Sequence, residues 1–331
     1  MDDFQLPRLR ADLELVNREL KRQFPPEQEQ GRVRDILADV TGRSGKRYRP
    51  LLLLLSARCG PNYAAQRPLL CKLGAVIELI HMASLVHDDI VDDSPLRRGQ
   101  ATVQSRYGKD MAVYTGDLLL ARTMKLVFTE GLGQTGAALC ETIERMCRGE
   151  IGQFDCRFRI DTPVERYLEN IAGKSVALFE TATRLGCQLA GGSADTVRNL
   201  SRFGRHLGYL FQIRDDLLDF LSSEAREGKP IHVDFREGVF TLPVLFASSS
   251  PKTRAELAEL AELARQGRFA SAETERLTAA VRRSGGLEAA KAEMEYHRAS
   301  ARRLTESLPS AIAQAFRGIL DKLDLPDASG T

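Results

Sequence analysis

Apolar residues recur at spacings of three and four along nearly the whole chain, as in Leu6, Leu9, Leu13 and Val16 or Leu257, Leu260, Leu263 and Ala264. No stretch alternates apolar with polar residues. A period near 3.6 puts such residues on one face of a helix, whereas a half-buried strand needs a period of two. The pattern predicts an all-α fold. Breaks rich in Gly, Pro, Ser and Asp, among them "QFPPEQEQG", "RCGPNYAAQRP", "TEGLGQTG" and "AGGSAD", divide it into roughly ten to thirteen helices. With no fixed-period repeat and no clear composition boundary, residues 1–325 are expected to form one domain, a single-domain bundle, and 326–331 a frayed tail.

Composition narrows the function classes. Of 331 residues, 43% are hydrophobic and 28% charged, with a formal net charge of +2, which argues against a surface built to coat nucleic acid. Six scattered cysteines form no CxxC pair, so neither a zinc site nor a disulfide framework is expected, and a reducing, cytoplasmic setting fits. The N-terminus is acidic from its second residue, unlike a secretory signal. Lys72, Glu78 and His81 interrupt the most apolar region, so membrane contact is expected to be peripheral at most.

The chemistry concentrates in "LVHDDIVDDSPLRRGQ", residues 85–100, which places four aspartates directly after an apolar helix pattern. If residues 73–93 form one helix, Asp88 and Asp92 lie on one face with Asp89 about 100° round. Like charges at that spacing repel and need a compensating cation. "FQIRDDLLDF", residues 211–220, repeats the spacing with Asp215, Asp216 and Asp219. Carboxylate oxygens are hard ligands that suit Mg²⁺, an ion usually shared with substrate phosphates. Lys46, Arg47 and Arg49 in "GKRYRP", Arg97 and Arg98, Lys174 in "AGKS" and Lys229 in "EGKP" supply donors for phosphate. "AGKS" is not a P-loop, because the upstream glycine and a preceding strand are missing.

Together "GKRYRP", "ELIHMASLVHDDIVDDSPLRRG", "YTGDLLLAR", "RGEIGQ", "AGKS", "FQIRDDLLDF" and "GKPIHVDFREGVFTLP" resemble, in order and over nearly the whole chain, the trans-isoprenyl diphosphate synthases of the polyprenyl synthetase family. Within it, "AVIELIHMASLVHDDIVDDSPLRRG" is most similar to the catalytic component of bacterial heptaprenyl diphosphate synthase. The resemblance implies an all-α bundle around a deep central cavity. It further implies a head-to-tail condensation of isopentenyl diphosphate with an allylic diphosphate and a dimer, homomeric or with a smaller helical subunit. Carried over by position, Asp88, Asp89, Asp92, Asp215, Asp216 and Asp219 would hold Mg²⁺ on the allylic diphosphate. Arg97, Lys174, Ser175, Gln212 and Lys229 would contact that diphosphate. Lys46, Arg49, His81 and Arg98 would hold isopentenyl diphosphate.

The chain departs from the family's pattern at Ile231, His232 and Val233, where small or polar residues such as Ala-Gly-Asn are common, and at Arg214, where an aliphatic residue is common. A histidine-aspartate phosphohydrolase would use "HDD" at 87–89 but leaves the second acid cluster without a role. A non-catalytic subunit would be expected to lack one cluster or the lysines, and a terpene cyclase needs no isopentenyl diphosphate site. Chain length is read from the residues one turn below Asp88. Ala83 and Ser84 are small, so a growing tail is expected to continue along a helix about 30 Å long, past Ile80 and Ile77, to C30–C40. A farnesyl or geranylgeranyl product is the shorter alternative.

Overall fold

The computed structural model describes residues 8–24, 29–42, 45, 47–97, 99–221 and 232–326. Lys46, Arg98, Lys229, Ile231 and nearly all of the expected tail lie outside them. Among the described residues the chain is helical apart from one two-stranded hairpin, Leu96–Arg97 with Gln100–Ala101. The helices, in chain order, are α1 Leu9–Arg22, α2 Gly31–Gly42, α3 Tyr48–Ala57, α4 Tyr63–Val91, α5 Val103–Tyr107, α6 Lys109–Thr129, α7 Gly133–Asp155 and α8 Val164–Ile171. A π-helical turn, Ala172–Val176, leads into α9 Ala177–Leu189 and α10 Ala194–Leu221. There follow α11 Val233–Arg236, α12 Leu242–Ala247, α13 Pro251–Arg265, α14 Ser271–Arg283, α15 Gly286–Leu304 and α16 Ser310–Asp321. Helices outnumber the sequence expectation because single-turn pieces such as α5 and α11 are too short to show a period.

The chain divides into two compact units, and the division runs through α7, α10 and α16. The first comprises Met1–Ile143, Leu178–Ser201 and Ser307–Phe316. Its centre is α3, whose Leu51 to Leu55 are all buried, packed on α4. A helix apolar all round is stable only inside a core. By length and composition α4 could cross a bilayer, but 72% of its most apolar window is buried inside the protein, which makes it a core helix. Two buried acids in this unit are paired. Asp12 of α1 accepts hydrogen bonds from Arg58, Tyr63 and Arg67, joining α1 to α4, and Glu78 accepts from Arg47 Nη1 at 2.5 Å. Burying a carboxylate without such partners is costly.

The second unit comprises Glu144–Ala177, Arg202–Glu306 and Arg317–Thr331. Here α12 packs on α15, and the buried Arg298 of α15 donates to the carbonyls of Leu320 and Leu323 at 2.8 and 3.2 Å, satisfying the end of α16 with a cation. All six cysteines are free thiols.

Unit two also pairs two histidines, His297 buried and His206 half-buried. His206 Nδ1 and His297 Nδ1 lie 2.9 Å apart and share one proton, and Tyr209 stacks on the His297 ring at 4.5 Å. Burial, then His206 and Arg205, pushes the His297 pKa down from its ordinary value to about 4. In the unfolded chain His297 takes up a proton near pH 6.5, whereas the folded chain refuses it until about pH 4. Its contribution is therefore intact above pH 6.5 and is lost as pH falls toward 4, by at most about 3 kcal/mol. Urea unfolding of the parent and of His297→Asn between pH 7.5 and 4.5 should show the variant losing less stability on acidification; parallel curves would show that His297 does not govern this window.

Candidate active site

The first acid cluster sits in unit one at the C-terminal end of α4. The helix begins ten residues earlier than the sequence suggests and ends at Val91, so Asp92 is its C-cap instead of lying inside it. The Asp92 N–H still donates to the Asp88 carbonyl at 2.9 Å, preserving the one-turn spacing of the two carboxylates. Asp93 then takes a left-handed conformation, φ 45°, with Asp93 N–H on Ile90 and Ser94 N–H on Asp89. This is a Schellman ending, built on one of the few non-glycine residues that tolerate that backbone. Lys109 pairs with Asp93 at 2.8 Å and holds its carboxyl below the usual range.

Asp89 does not share the setting of Asp88 and Asp92. It is 1% exposed and accepts a hydrogen bond from Arg97 Nε at 2.6 Å, so Arg97 of the hairpin neutralises the cluster's buried member. The His87 ring lies across Gly116 of "YTGD", where an added Cβ would come within 2.1 Å of Nε2. That glycine lets α6 approach the cluster's end of α4 closely. His87 faces the Val113 carbonyl at 3.3 Å and Asp117 at 3.6 Å.

On α4 above Asp88, the half-buried residues are Leu85, Ser84 and His81, a stripe at helical spacing. Ser84 Oγ donates to the His81 carbonyl at 3.0 Å, so its polarity is turned into its own helix, and Ala83 beside it is buried. The sequence expectation fails deeper down: Ile80 and Ile77 are 2% and 0% exposed and belong to the core. They offer no surface to a tail, because α4 is enclosed beyond His81 by packing that periodicity cannot register. Arg49 of α3 places its guanidinium over the Phe179 ring at 4.4 Å.

The second cluster sits in unit two in the last two turns of α10. Asp215 is exposed, Asp219 half-buried and Asp216 2% exposed. Asp216 accepts hydrogen bonds from the Tyr167 hydroxyl, from Gln212 Nε2 at 3.2 Å and from the Leu242 N–H at 3.4 Å. Ser175 Oγ donates to Gln212 Oε1 at 2.6 Å, which links the π-turn to α10. Burial raises the Asp216 pKa to about 6 against the pull of these donors. Asp234 has exposed surface yet is ringed by protein; that crowding, then Asp219 and Asp216, push its pKa up to about 8 against Lys174.

Lys174 is carried on the π-turn, a geometry that inserts one residue into a helix and recurs at functional positions. Gly149 of "RGEIGQ" and Gly173 of "AGKS" permit it: a Cβ on Gly149 would stand 2.3 Å from Lys174 N, and one on Gly173 2.4 Å from the Arg145 carbonyl. Lys174 Nζ pairs with Glu150 at 3.0 Å. Asp234, Tyr167 and Glu150 were not singled out by the sequence reading. Asp234 and Glu150 stood inside quoted motifs, whereas nothing local marks Tyr167. Arg214 is turned away from the cluster, donating from Nε to the Asp324 carbonyl at 3.2 Å, so that departure does not alter the site.

Both clusters stand at helix C-termini, the negative pole of the helix dipole. Their donors are hard carboxylate oxygens, and burial is the main cause of the raised pKa of Asp216 and of Asp234. Among the described residues no three acids, histidines or cysteines form a ready-made metal cage. That combination fits Mg²⁺, which keeps several waters and is held by one or two carboxylates together with substrate phosphates.

Comparison with known proteins agrees with this chemistry. The family model described as polyprenyl synthetase matches residues 30–280. Heptaprenyl diphosphate synthase component 2 of Geobacillus stearothermophilus is 36% identical over 96% of this chain and 95% of its own length. Heptaprenyl diphosphate synthase from Staphylococcus aureus superposes with a TM-score of 0.85 at 28% identity, covering 95% of this chain and 97% of that one. Polyprenyl synthase from Caulobacter crescentus, solved with calcium and isoprenyl diphosphate, does so at 0.83 and 30% identity, covering 95% and 94%. Other relatives are named for geranylgeranyl and nonaprenyl products.

Two substitutions separate the outward acids from the internally bonded ones. In metal-free buffer Asp92→Asn should raise the unfolding free energy by about 0.3–1 kcal/mol, since it removes a carboxylate from a helix C-terminus. Tyr167→Phe should lower it by about 1–3 kcal/mol by leaving Asp216 short of a donor. Urea titrations in EDTA check both, and a stabilised Tyr167→Phe together with a destabilised Asp92→Asn would reverse the assignment.

Proposed function

The chain belongs to the polyprenyl synthetase family and is a trans-prenyl diphosphate synthase, a prenyltransferase; from that premise we propose that it is Mg²⁺-dependent and extends an allylic diphosphate to an all-trans C30–C40 product for quinone side chains. The observation that carries the metal dependence is the repeated arrangement at the two helix ends. In each cluster one aspartate is buried on protein donors, while the others keep carboxylate surface that no helix terminus stabilises.

In this reading Asp88, Asp92, Asp215 and Asp219 hold Mg²⁺, and Asp89 and Asp216 order the two helix ends. Bound there, Mg²⁺ would stabilise the charge on the departing pyrophosphate. Arg97, Lys174 and Lys229 hold the allylic diphosphate, with Gln212 and Ser175 fixing one another beside Asp216. Lys46, Arg49, His81 and Arg98 hold isopentenyl diphosphate, whose double bond attacks the allylic carbon as the C–O bond breaks. The proton released in forming the new double bond passes to pyrophosphate, so no protein nucleophile is needed.

Long products are supported by the small, half-buried Ser84, with the buried Ala83 beside it adding no bulk, and by the heptaprenyl relatives. With α4 closed at Ile80 and Ile77, a tail that passes Ser84 would leave that helix near His81. The name of the Geobacillus relative, component 2, supports a partner polypeptide, and exposed Tyr114 (66%) and Phe128 (78%) on α6 support a protein–protein contact. We take the working form to be a cytoplasmic dimer, with itself or with a smaller helical subunit.

Incubating the purified chain with Mg²⁺, farnesyl diphosphate and labelled isopentenyl diphosphate and sizing the products tests the reading. Long-chain product from the isolated chain would exclude an obligatory second subunit, and a C15 or C20 limit would favour the shorter alternative. Full activity in EDTA, or Asp88→Ala and Asp215→Ala variants that retain parental rates instead of losing at least about 10²-fold, would sink the metal assignment. Phenylalanine at both Ala83 and Ser84 should shorten the product to C15 or C20 while the first condensation persists; unchanged lengths would show that the tail does not pass these residues.

A further inference from the structure

We infer that His232 is a positioning residue that clamps Asp219 in a metal-binding orientation, an inference that rests on the reading of Asp219 as an Mg²⁺ ligand. His232 is one of three consecutive residues, with Ile231 and Val233, at which the sequence departs from the small or polar pattern of its family. It is fully buried, and it holds both oxygens of one carboxylate. Its backbone N–H donates to Asp219 Oδ1 at 2.8 Å and its ring Nδ1 lies 3.3 Å from Oδ2. Ring Nε2 is 2.9 Å from Thr278 Oγ1 on α14, and the ring centroid is 4.3 Å from that of Phe220.

The backbone identifies this as more than filling. His232 has φ 54°, a left-handed conformation that is strained for a residue other than glycine. A strained residue of this kind persists where its surroundings over-determine it. Here Thr278 and Phe220 hold the imidazole on one side, and the imidazole and backbone N–H hold Asp219 on the other. A glycine would adopt the same backbone without strain and would keep the N–H contact, so what histidine adds is the ring: in the Nδ1–H tautomer it donates a second hydrogen bond to Asp219, and Nε2 accepts from Thr278 Oγ1, which otherwise donates to the Thr274 carbonyl at 3.0 Å.

That bond matters because of what surrounds Asp219. Asp234 is close enough for its charge to interact with that of Asp219, and repulsion between the two acids favours any rotamer that turns the Asp219 carboxylate away. An ionised carboxylate has about four lone-pair directions. His232 occupies two, one on each oxygen, which fixes the carboxylate plane and leaves the remaining directions for a cation. Partners that orient a ligating carboxylate typically govern metal affinity by about 10–100-fold.

Three variants of the full chain test this: His232→Gly, which keeps the backbone conformation and loses the ring; His232→Asn, whose amide reproduces the Nδ1 donor and tolerates the left-handed backbone; and Thr278→Val, which removes the outer anchor. Each is made in an Asp88→Asn/Asp92→Asn background, so that Mn²⁺ binding with inorganic pyrophosphate, followed by electron paramagnetic resonance, reports the second cluster. Expected are about 10–100-fold weaker Mn²⁺ binding in His232→Gly, near-parental binding in His232→Asn, and a smaller loss in Thr278→Val. In the otherwise parental enzyme, His232→Gly should raise the Mg²⁺ concentration for half-maximal rate and leave the rate at saturating Mg²⁺ nearly unchanged. Parental Mn²⁺ affinity in His232→Gly, or His232→Asn impaired as badly as His232→Gly, overturns the inference. Should the glycine variant not fold, unchanged Mn²⁺ affinity in Thr278→Val overturns it. A parent without Mg²⁺-dependent prenyl transfer would sink the functional reading instead, and the Mn²⁺ comparison would still judge His232.

Discussion

A carboxylate at the C-terminal end of an α-helix faces unpaired carbonyls and the negative pole of the helix dipole, and a second carboxylate one turn away adds repulsion. The chain accepts that arrangement twice, at the ends of its two longest well-buried helices, α4 and α10. Much else in each unit makes it tolerable. Long apolar helices give the clusters a rigid base, and a buried aspartate within each cluster is neutralised or hydrogen-bonded so that its neighbours can remain charged toward solvent. A divalent cation bound at these ends, as proposed above, would offset the repulsion between the paired carboxylates.

The two clusters solve the same problem with different chemistry. In the first, a guanidinium from the hairpin neutralises Asp89, and the Asp93 backbone turns the chain sharply enough to return Arg97 to the helix end. In the second, no cation reaches Asp216 through a described hydrogen bond; a phenol, an amide and a backbone N–H share it, and burial raises its pKa against their pull. Neutral donors compensate a buried carboxylate less fully than a guanidinium does.

Glycines decide how close the helices come. Gly116 admits the His87 ring between α4 and α6, and Gly149 with Gly173 brings α7 against the π-turn that carries Lys174. These are positions where the sequence reading quoted a motif without a physical reason for its small residue. The reason is close approach, of an imidazole ring at Gly116 and of backbone at Gly149 and Gly173, which depends on partners more than twenty residues away.

By itself the sequence determined the helical class, through a period near 3.6, and the identity of both acid clusters, through spacings that place carboxylates one turn apart on a helix. It also marked Lys174, Arg97 and the unusual His232. These are local properties: they depend on residues within a turn or two of one another. Only the tertiary structure decided which aspartates turn inward, since Asp89 and Asp88 are neighbours in sequence and differ only in what folds against them. It likewise decided that Tyr167, 49 residues before Asp216, is that residue's donor, that Ile77 and Ile80 are closed to a passing tail, and that His232 reaches Asp219 and Thr278 together. Burial and hydrogen-bond partnership are set by segments distant in the chain, and no periodicity records which distant segment will arrive.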